Sequence, residues 1–310
     1  MGINAGASAI TGVYLGDQLL TKGGGDVESI VQTAIDKPDA VILGQLLASP
    51  DQILSNSTAM TALANSETAM DLIVPTGLLV GLLADYPTAQ SIYYNSPYVG
   101  KYPPGRATLL KGTQSCGYYG EIPSIDFGKF TAGSQTGKTL TASTLAAALS
   151  ITEGGAINEN TTWHKFNWEN QIWYIASKAI RHSVSWNSIN TAKAVFGQII
   201  ISTTRGKFAP YLLTGGGYTN ASNVIPGGDN MWDKLLYQLK PGGSWGTNYN
   251  DEQLDFHTAA EGKGYCHMCQ ESYKNFKTYR GGYDGADAGI FESYRKEEYY
   301  GWRPALRYVP

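Results

Sequence analysis

The sequence has few charges. Asp, Glu, Lys and Arg make up 16% of its 310 residues, against about 25% in an ordinary globular protein. The formal net charge is −3 and no long basic run occurs, so non-specific nucleic-acid binding has no electrostatic support. We therefore expect no nucleic-acid partner.

Long apolar runs are also missing. The longest candidate, residues 72–84, is interrupted by Pro75 and Gly77 and falls short of the ~20 residues that span a bilayer. The first residues lack the basic and then apolar pattern of a signal peptide. These absences predict a chain made in a cytoplasm, not exported by a signal peptide and not inserted in a membrane.

Cysteine is scarce, with three residues in the chain. An odd count without a signal peptide favours reduced thiols. Cys266 and Cys269 have the spacing of half a zinc site, to which His257 or Cys116 could add a ligand, but zinc needs four ligands and no second pair occurs. Two thiols without metal are the favoured interpretation, and we predict no metal and no cofactor.

Residues 132–139 fit a permissive form of the phosphate-binding loop. The strand before such a loop should be a continuous apolar run, whereas Asp126, Lys129 and Thr131 interrupt this one. A Gly, Ser and Thr turn before a helix over residues 139–149 is therefore the favoured interpretation.

Catalytic motifs are absent from the sequence. Only four histidines occur, and neither a Gly-x-Ser-x-Gly elbow nor a His-Glu-x-x-His run is present. Carboxylate pairs for glycoside hydrolysis can be drawn from the acids after residue 250, but a chain with 26 acids offers many such pairs. We predict that the chain is not an enzyme.

Tryptophan marks a change in composition along the chain. All seven tryptophans lie after residue 160: Trp163, Trp168, Trp173, Trp186, Trp232, Trp245 and Trp302. This step predicts a domain boundary near residue 155. We expect an N-terminal attachment segment over residues 1–45, a short-helix and irregular spacer over 46–154, and a mixed domain over 155–310.

The spacer contains an internal repeat. Ser57-Thr58-Ala59-Met60 and Ser66-Glu67-Thr68-Ala69-Met70 each lead into an apolar pair, with looser copies at residues 49–54 and 87–93. Serine is a good N-cap, so a period of nine to ten residues predicts short, chained helices that must pack on partners. Two alternatives stay open, a plain spacer and subunit contacts through the Met and Leu faces.

Earlier and later segments predict further elements. Residues 12–20 read as a hairpin, and so do residues 164–166 and 172–176, which flank Glu169-Asn170. Strands are expected over 195–204, 208–213 and 301–309, and a short amphipathic helix over 230–239.

The aromatic, Gly-rich segment from residue 245 to 300 is the candidate binding surface. Tyr and Trp rings stack on sugar faces and anchor interfaces at low entropic cost, and carboxylates there can accept hydrogen bonds from hydroxyls. The candidate residues are Trp245, Tyr249, Tyr283, Asp284 and Tyr294.

Several of these patterns together resemble those of tailed-bacteriophage tail and virion proteins. The resemblance rests on the Ser-Thr-Ala-Met units and on residues 139–149, 163–166, 173–181, 185–186, 211–215, 230–233, 280–282 and 301–306. The last of these segments, Gly301-Trp302-Arg303-Pro304-Ala305-Leu306, also looks like the terminal strand of a C-type-lectin-like or formylglycine-generating-enzyme-like fold.

The resemblance implies an α+β chain whose C-terminal domain is C-type-lectin-like. It implies a virion structural protein, assembled in the host cytoplasm, of tail or fibre type, whose C-terminal domain contacts the host surface. A purely structural collar, baseplate or head-decoration protein is the alternative, and a polysaccharide depolymerase is the third. Expected partners are other virion proteins, a host glycan or protein, and copies of the chain, with a trimer favoured.

Overall fold

The structure, a computed structural model, describes residues 12–15, 18–22, 50–73, 83–98, 103–105, 109–113, 115–216, 218–220, 223–224, 229–256, 262–273, 276–282 and 285–310. The chain divides into two compact units. The first, here the helical unit, comprises Met1–Tyr102 with Arg106–Thr108, and the second, here the sheet-rich unit, comprises Pro103–Gly105 with Leu109–Pro310.

The helical unit contains a hairpin and a series of short helices. Strands β1 (Gly12–Leu15) and β2 (Gln18–Lys22) pair antiparallel, which confirms the predicted hairpin. The helices are α1 (Pro50–Leu54), α2 (Ser57–Ala64), α3 (Glu67–Ile73) and α4 (Pro87–Tyr94), with a 3-10 turn at Leu83–Asp85. The predicted chain of short helices is confirmed.

The starts of α2 and α3 lie ten residues apart. The Asn56 side-chain oxygen accepts hydrogen bonds from the N–H groups of Thr58 (3.0 Å) and Ala59 (3.1 Å). Ser66 Oγ accepts one from the Ala69 N–H (3.2 Å). Each bond satisfies a donor that a helix start leaves without a partner. Ser66 is thus a cap as predicted, whereas Asn56, one residue before the expected Ser57, caps α2.

The apolar faces of these helices are buried within the helical unit. Met60 and Met70 are both fully buried, as are Leu63 and Tyr93. Contacts between repeats include a hydrogen bond from Ser96 Oγ to the carbonyl oxygen of Ala64. Because the Met and Leu faces are already covered by the chain itself, they supply no argument for contacts with another subunit.

The sheet-rich unit contains fifteen strands within the described ranges. They are β3 (Lys111–Gly112), β4 (Cys116–Pro123), β5 (Gly155–Ala156), β6 (Thr162–Trp168), β7 (Gln171–Ala176), β8 (Arg181–His182), β9 (Ile201–Thr203), β10 (Gly206–Leu212), β11 (Tyr218–Asn220), β12 (Asn223–Val224), β13 (Cys266–Tyr273), β14 (Phe276–Arg280), β15 (Ala288–Glu292), β16 (Tyr300–Trp302) and β17 (Pro304–Val309). Helices α5 (Ala142–Ala148) and α6 (Trp186–Thr191) accompany them.

Two large sheets organise the unit. One has seven strands in the order β3-β4-β6-β7-β17-β10-β9, and the other has six in the order β15-β14-β13-β16-β8-β5. The pairing is antiparallel except between β13 and β16, which run parallel. A chain that combines these sheets with the helices has the mixed α+β composition predicted from the sequence.

The sheet-rich unit extends well before residue 155. Strand β4 pairs with β6 along its length, from Cys116 opposite Trp168 to Pro123 opposite Thr162. Residues 109–154, assigned to the spacer by composition, therefore belong to the same compact unit as residues 155–310. Tryptophan content does not mark this edge because β4 contributes Tyr118 to the core instead.

The turn between β6 and β7 follows its sequence. Glu169 and Asn170 both have positive φ, 53° and 60°, as a two-residue turn of type I′ requires. The predicted hairpin is confirmed. Two other predictions were partly wrong. Of the strand predicted over residues 195–204, only Ile201–Thr203 form a strand. The helix predicted over residues 230–239 is instead a π-helical turn (Trp232–Leu236) followed by a 3-10 turn (Tyr237–Leu239).

The seven-stranded sheet is buried on both faces. Along β7, Tyr174 contributes to one apolar cluster, and Trp173 and Ile175 contribute to the other. On β17, Leu306 belongs to the same cluster as Tyr174, and Ala305 belongs to the cluster of Trp173 and Ile175. Such alternation follows from the two-residue period of a strand, and it explains why β7 carries apolar or aromatic side chains at every position from Ile172 to Ala176.

Arg303 occupies the junction between β16 in one sheet and β17 in the other. Its side chain is fully buried. Nε donates to the carbonyl oxygen of Ala176 (2.8 Å), Nη1 to that of Leu254 (2.7 Å), and Nη2 to that of Ser177. Burial lowers the pKa of Arg303 to about 9, and nearby Asp255 acts in the opposite direction. One cation therefore satisfies three backbone acceptors where the chain changes sheets.

Candidate functional site

Trp245, expected on a binding surface, lies in the core. The side chain is 5% exposed, and its Nε1 donates to the carbonyl oxygen of Leu235 (2.8 Å). Its ring packs against those of Phe166 and Tyr118, with centroids 5.9 Å and 6.3 Å away. The ring therefore fills the interior and offers no face to a ligand.

Tyr249 is half-buried beside the same cluster. Its hydroxyl donates to Glu121 Oε2 (2.8 Å), and its ring meets that of His164 edge to face, with centroids 5.0 Å apart. Burial, and then the Glu121 carboxylate, raise the pKa of Tyr249 to about 12. With its hydroxyl bonded to Glu121, Tyr249 has a structural role in closing the loop onto the sheet.

Of the three remaining candidates, Tyr294 is the one that the structure describes. Tyr283 and Asp284 lie outside the described residues. Tyr294 is 66% exposed, the highest value among the large apolar and aromatic side chains of the described ranges. It follows Ser293, whose carbonyl oxygen accepts a hydrogen bond from the Asn187 N–H (3.0 Å). The structure thus places Tyr294 next to α6, apart from Trp245 and Tyr249.

A cleft of about 680 Å³ opens beside α6. We call it the α6 cleft. Most of its lining is polar and uncharged, from Ser150, Thr152, Ser185, Asn187, Ser188 and Thr191. Glu153 and Lys193 add one charge of each sign, and Leu149, Ala192 and Ile199 add apolar surface. The volume falls within the range of roughly 300–1,000 Å³ typical of small-molecule sites.

The sequence around α6 explains how the helix supports the cleft. Ser185 caps the helix, with Oγ accepting from the Ser188 N–H (3.2 Å). Trp186 and Ile189, three residues apart, are buried on one face, as expected for a helical repeat. Asn187 and Thr191, four residues apart, lie on the exposed face that lines the cleft.

Trp186 fixes the position of α6 against the second sheet. Its Nε1 donates to the carbonyl oxygen of Cys269 on β13 (3.0 Å). Lys277 Nζ lies 3.7 Å from the ring centroid, within the distance of a cation–π contact. Phe196 packs edge-on against the same ring at 6.2 Å. The helix is therefore held on several sides before any ligand binds.

Glu153 is the charged acceptor of the cleft. Its Oε2 accepts from the N–H (2.8 Å) and Oγ–H (2.6 Å) of Ser185, and its Oε1 lies 3.2 Å from Lys296 Nζ. Burial acts to raise the pKa of Glu153, but the hydrogen bonds from Ser185 and the contact with Lys296 outweigh it, so the pKa lies below its ordinary value. The carboxyl is ionised at neutral pH.

The segments that border the cleft carry several exposed apolar and aromatic side chains. Five large ones are more than a third exposed among the described residues, and three belong to the two segments that border the cleft: Phe196 (43%), Ile200 (46%) and Tyr294 (66%). Residues 193–200 also supply Lys193 and Ile199 to the lining, and residues 293–296 supply the contact with Glu153. Exposed apolar side chains in the segments that border a cleft suit a binding surface.

The two cysteines of the half zinc motif lie on β13. Both are buried. Burial raises the pKa of Cys266 to about 12, with a smaller contribution from Asp287, and burial also raises that of Cys269. Both groups are therefore thiols at neutral pH. Within the described ranges no group of three or more His, Cys, Asp or Glu side chains is placed to hold a metal ion, and His257 lies outside those ranges.

The segment that fits a phosphate-binding loop forms a closed turn. The Phe130 N–H donates to the carbonyl oxygen of Lys138 (2.9 Å), and the Gly137 N–H donates back to that of Phe130 (2.8 Å). Helix α5 begins only at Ala142, capped by Thr141. The N–H groups of Phe130 and Gly137 are thus paired within the turn, and the helix does not start at the loop.

Sequence reasoning missed the α6 cleft. Its lining comes from two separate stretches, residues 149–153 and 185–199, which no motif or spacing connects. The one local signal was Ser185-Trp186, a cap followed by an apolar residue, which indicates a helix start but not a binding site.

Comparison of the chain with protein-family models, with curated proteins and with solved structures finds no match. Across the part of the chain that the structure describes, no helix combines the length and apolar character needed to cross a bilayer.

Proposed function

We propose that the chain is a structural component of a tailed-phage particle, of tail or fibre type, whose sheet-rich unit contacts the host surface. The observation that carries the proposal is the α6 cleft, with its uncharged polar lining and the exposed Phe196, Ile200 and Tyr294 beside it. A polar cleft with adjacent exposed rings suits recognition of an external ligand.

A lectin-like fold for the sheet-rich unit is part of this proposal. Its support is the closing sequence from Gly301 to Leu306, which forms β16 and β17 on either side of the buried Arg303. The helical unit, with side-chain caps ten residues apart at Asn56 and Ser66, suits a spacer. We propose a binding role and no catalysis, since Glu153 is the one carboxylate among the described residues that line the cleft, and glycoside hydrolysis ordinarily needs two.

A purely structural role in a collar, baseplate or head decoration is the second candidate. The exposed Phe196, Ile200 and Tyr294 favour it, because an apolar patch can equally be covered by another virion protein. Trimeric association is likewise a proposal. Sedimentation equilibrium of the purified chain tests it, since a trimer has three times the 33.5 kDa chain mass.

Two measurements separate the two candidate functions: the position of the chain on the particle, and its ability to compete with the phage for adsorption to host cells. Gold-labelled antibodies against the chain are applied to purified particles, and the full chain is then added to host cells before infection. Label at the distal tail or fibres, together with reduced adsorption, supports host contact. Label on the collar, baseplate or head without competition favours the structural role, and particles that carry no label overturn both.

A further inference from the structure

The lining of the α6 cleft has a chemistry that matches sugar hydroxyls. Ser150, Thr152, Ser188 and Thr191 bring hydroxyl groups, each of which can donate one hydrogen bond and accept two. Asn187 adds an amide with both donors and acceptors. A ligand that presents many hydroxyls can be bonded from several directions here, whereas an apolar ligand would leave these groups unpaired.

The charges of the cleft favour a neutral ligand. Glu153 and Lys193 are its two charged residues in the described lining, and they cancel. No concentration of one sign is present to attract a polyanion or a polycation. Glu153 accepts from Ser185 and Lys296, and because a carboxylate offers about four acceptor positions, it retains capacity for a hydroxyl donor. Hydrogen bonds to an ionised acceptor are the stronger kind.

Apolar surface accompanies the hydroxyls. Leu149 and Ile199 line the cleft itself, and Tyr294 stands exposed in the adjoining segment. Sugar rings have C–H faces as well as hydroxyl edges, so they use both kinds of surface. Tyrosine supplies a wide amphipathic contact at little entropic cost.

From these features we infer that the α6 cleft binds a neutral oligosaccharide, held by Glu153, Asn187 and Thr191 and covered at its margin by Tyr294. The inference rests on the proposed function in that it names the class of ligand for the surface contact. The site is prebuilt, because Ser185 already orients Glu153 and Trp186 already anchors α6, and preorganisation reduces the free-energy cost of binding.

The test is saturation-transfer NMR on the full chain with four neutral probes: maltotriose, chitotriose, mannotriose and lactose. Sialyllactose and a heparin disaccharide serve as charged comparisons. We expect transfer to at least one neutral probe. Its affinity should fall about tenfold in Glu153→Gln and about fivefold in Asn187→Ala, as expected for losing one charged and one neutral hydrogen bond.

Asn190→Ala is the matched control, because Asn190 is an exposed asparagine on the same helix that does not line the cleft. It should bind as the unchanged chain does. Thermal unfolding of each variant shows whether the fold is retained, and Asn187→Ala, at an exposed position, keeps the test valid if Glu153→Gln unfolds. Transfer to no neutral probe, transfer only to the charged probes, or full binding by Asn187→Ala each overturns the inference.

The two proposals fail in different ways. If particles carry the chain and the added chain reduces their adsorption, but no sugar binds, the proposed ligand class is wrong and host contact stands. Sugar binding by a chain that particles do not contain would overturn the virion role and leave the cleft assignment in place.

Discussion

The helical unit and the sheet-rich unit differ in how far apart in the sequence their bonded residues lie. In the helical unit, the bonds that cap α2 join Asn56 to Thr58 and Ala59, two and three residues away. In the sheet-rich unit, β17 pairs with β7, placing Ala305 opposite Ile175. Local contacts form at little loop-closure cost, while distant ones must overcome the entropy of ordering the intervening chain. Packing in the first unit also joins distant residues, such as Ser96 and Ala64. We nevertheless expect its helix caps to contribute to stability independently, so that this unit is modular in its caps, and we expect the second unit to be cooperative.

The largest expected effect comes from breaking the cooperative unit at the junction of its sheets. Arg303→Met should destabilise it by about 3–5 kcal/mol, because three buried carbonyl oxygens lose their donor. All seven tryptophans lie between residues 163 and 302, so urea unfolding followed by tryptophan fluorescence reports on this unit. Arg307→Met is the control, since Arg307 is partly exposed, donates a 3.3 Å hydrogen bond to Gln171 and lies over the ring of Tyr211, but holds no buried carbonyl oxygen of the described residues.

Hydrogen exchange over residues 56–73 then sharpens the comparison. Protection there should be unchanged in Arg303→Met if the two units unfold separately. A loss of protection in step with the fluorescence change would show that they unfold together, and the contrast drawn above would not hold.

An intermediate effect is expected from acid, through His164. This side chain is fully buried, and its pKa is lowered to about 3 by burial and then by Arg303. The unfolded value is about 6.5, so between pH 6.5 and 3 the unfolded chain binds a proton that the folded chain does not. Stability is therefore lost as pH falls through that window, by up to about 1.4 kcal/mol per pH unit.

The measurement is the free energy of unfolding of the sheet-rich unit between pH 7 and pH 5. His164→Phe should flatten the slope, whatever its effect on stability at pH 7. His182→Gln should alter the slope less, because His182 is only half-buried although its pKa is also lowered, by burial and then by Lys263. An unchanged slope in His164→Phe would contradict the assignment.

The smallest effect concerns the modular unit. Asn56→Ala and Ser66→Ala should each destabilise it by about 1 kcal/mol through loss of the cap. Since the caps belong to successive helices and share no bonds, the double variant should lose about 2 kcal/mol, the sum of the two. Hydrogen exchange over residues 56–73 measures this.

Thr61→Ala is the matched control for the caps. Thr61 is exposed within α2, and its side-chain hydroxyl donates to the carbonyl oxygen of Ser57 in the preceding turn (2.7 Å). Alanine has the higher helix propensity. Stability should stay equal or rise slightly. A double variant much worse than the sum would show that the repeats are coupled and not modular.

The same difference in range decides what could be predicted from the sequence. The repeat at residues 57–70 and the Glu169-Asn170 turn were recognised because a cap or a turn is encoded within a few neighbouring residues. Even there the register was off by one, because Asn and Ser are both good caps and Asn56-Ser57 offers both.

The sheet order and the cleft could not be predicted in this way. Nothing near β4 indicates that it pairs with β6, some forty residues later in the chain. Trp245 was expected at the surface because aromatic residues in a Gly-rich segment suit both a core and a binding face, and only the packing with Phe166 decides between them. Tyr294 was selected on the same pattern, and nothing in the sequence indicates that Ser293, the residue before it, is bonded to Asn187 of α6.

The position of β17 has a consequence for synthesis on the ribosome. This strand is made after every other strand of its sheet, yet it lies between β7 and β10. Until residues 304–309 emerge, the nascent chain holds two unpaired edges of largely apolar strands, which is the state most prone to misassembly. The sheet therefore cannot be completed before residues 304–309 are available, and a chain stopped shortly before Pro304 should aggregate rather than fold into a slightly smaller domain.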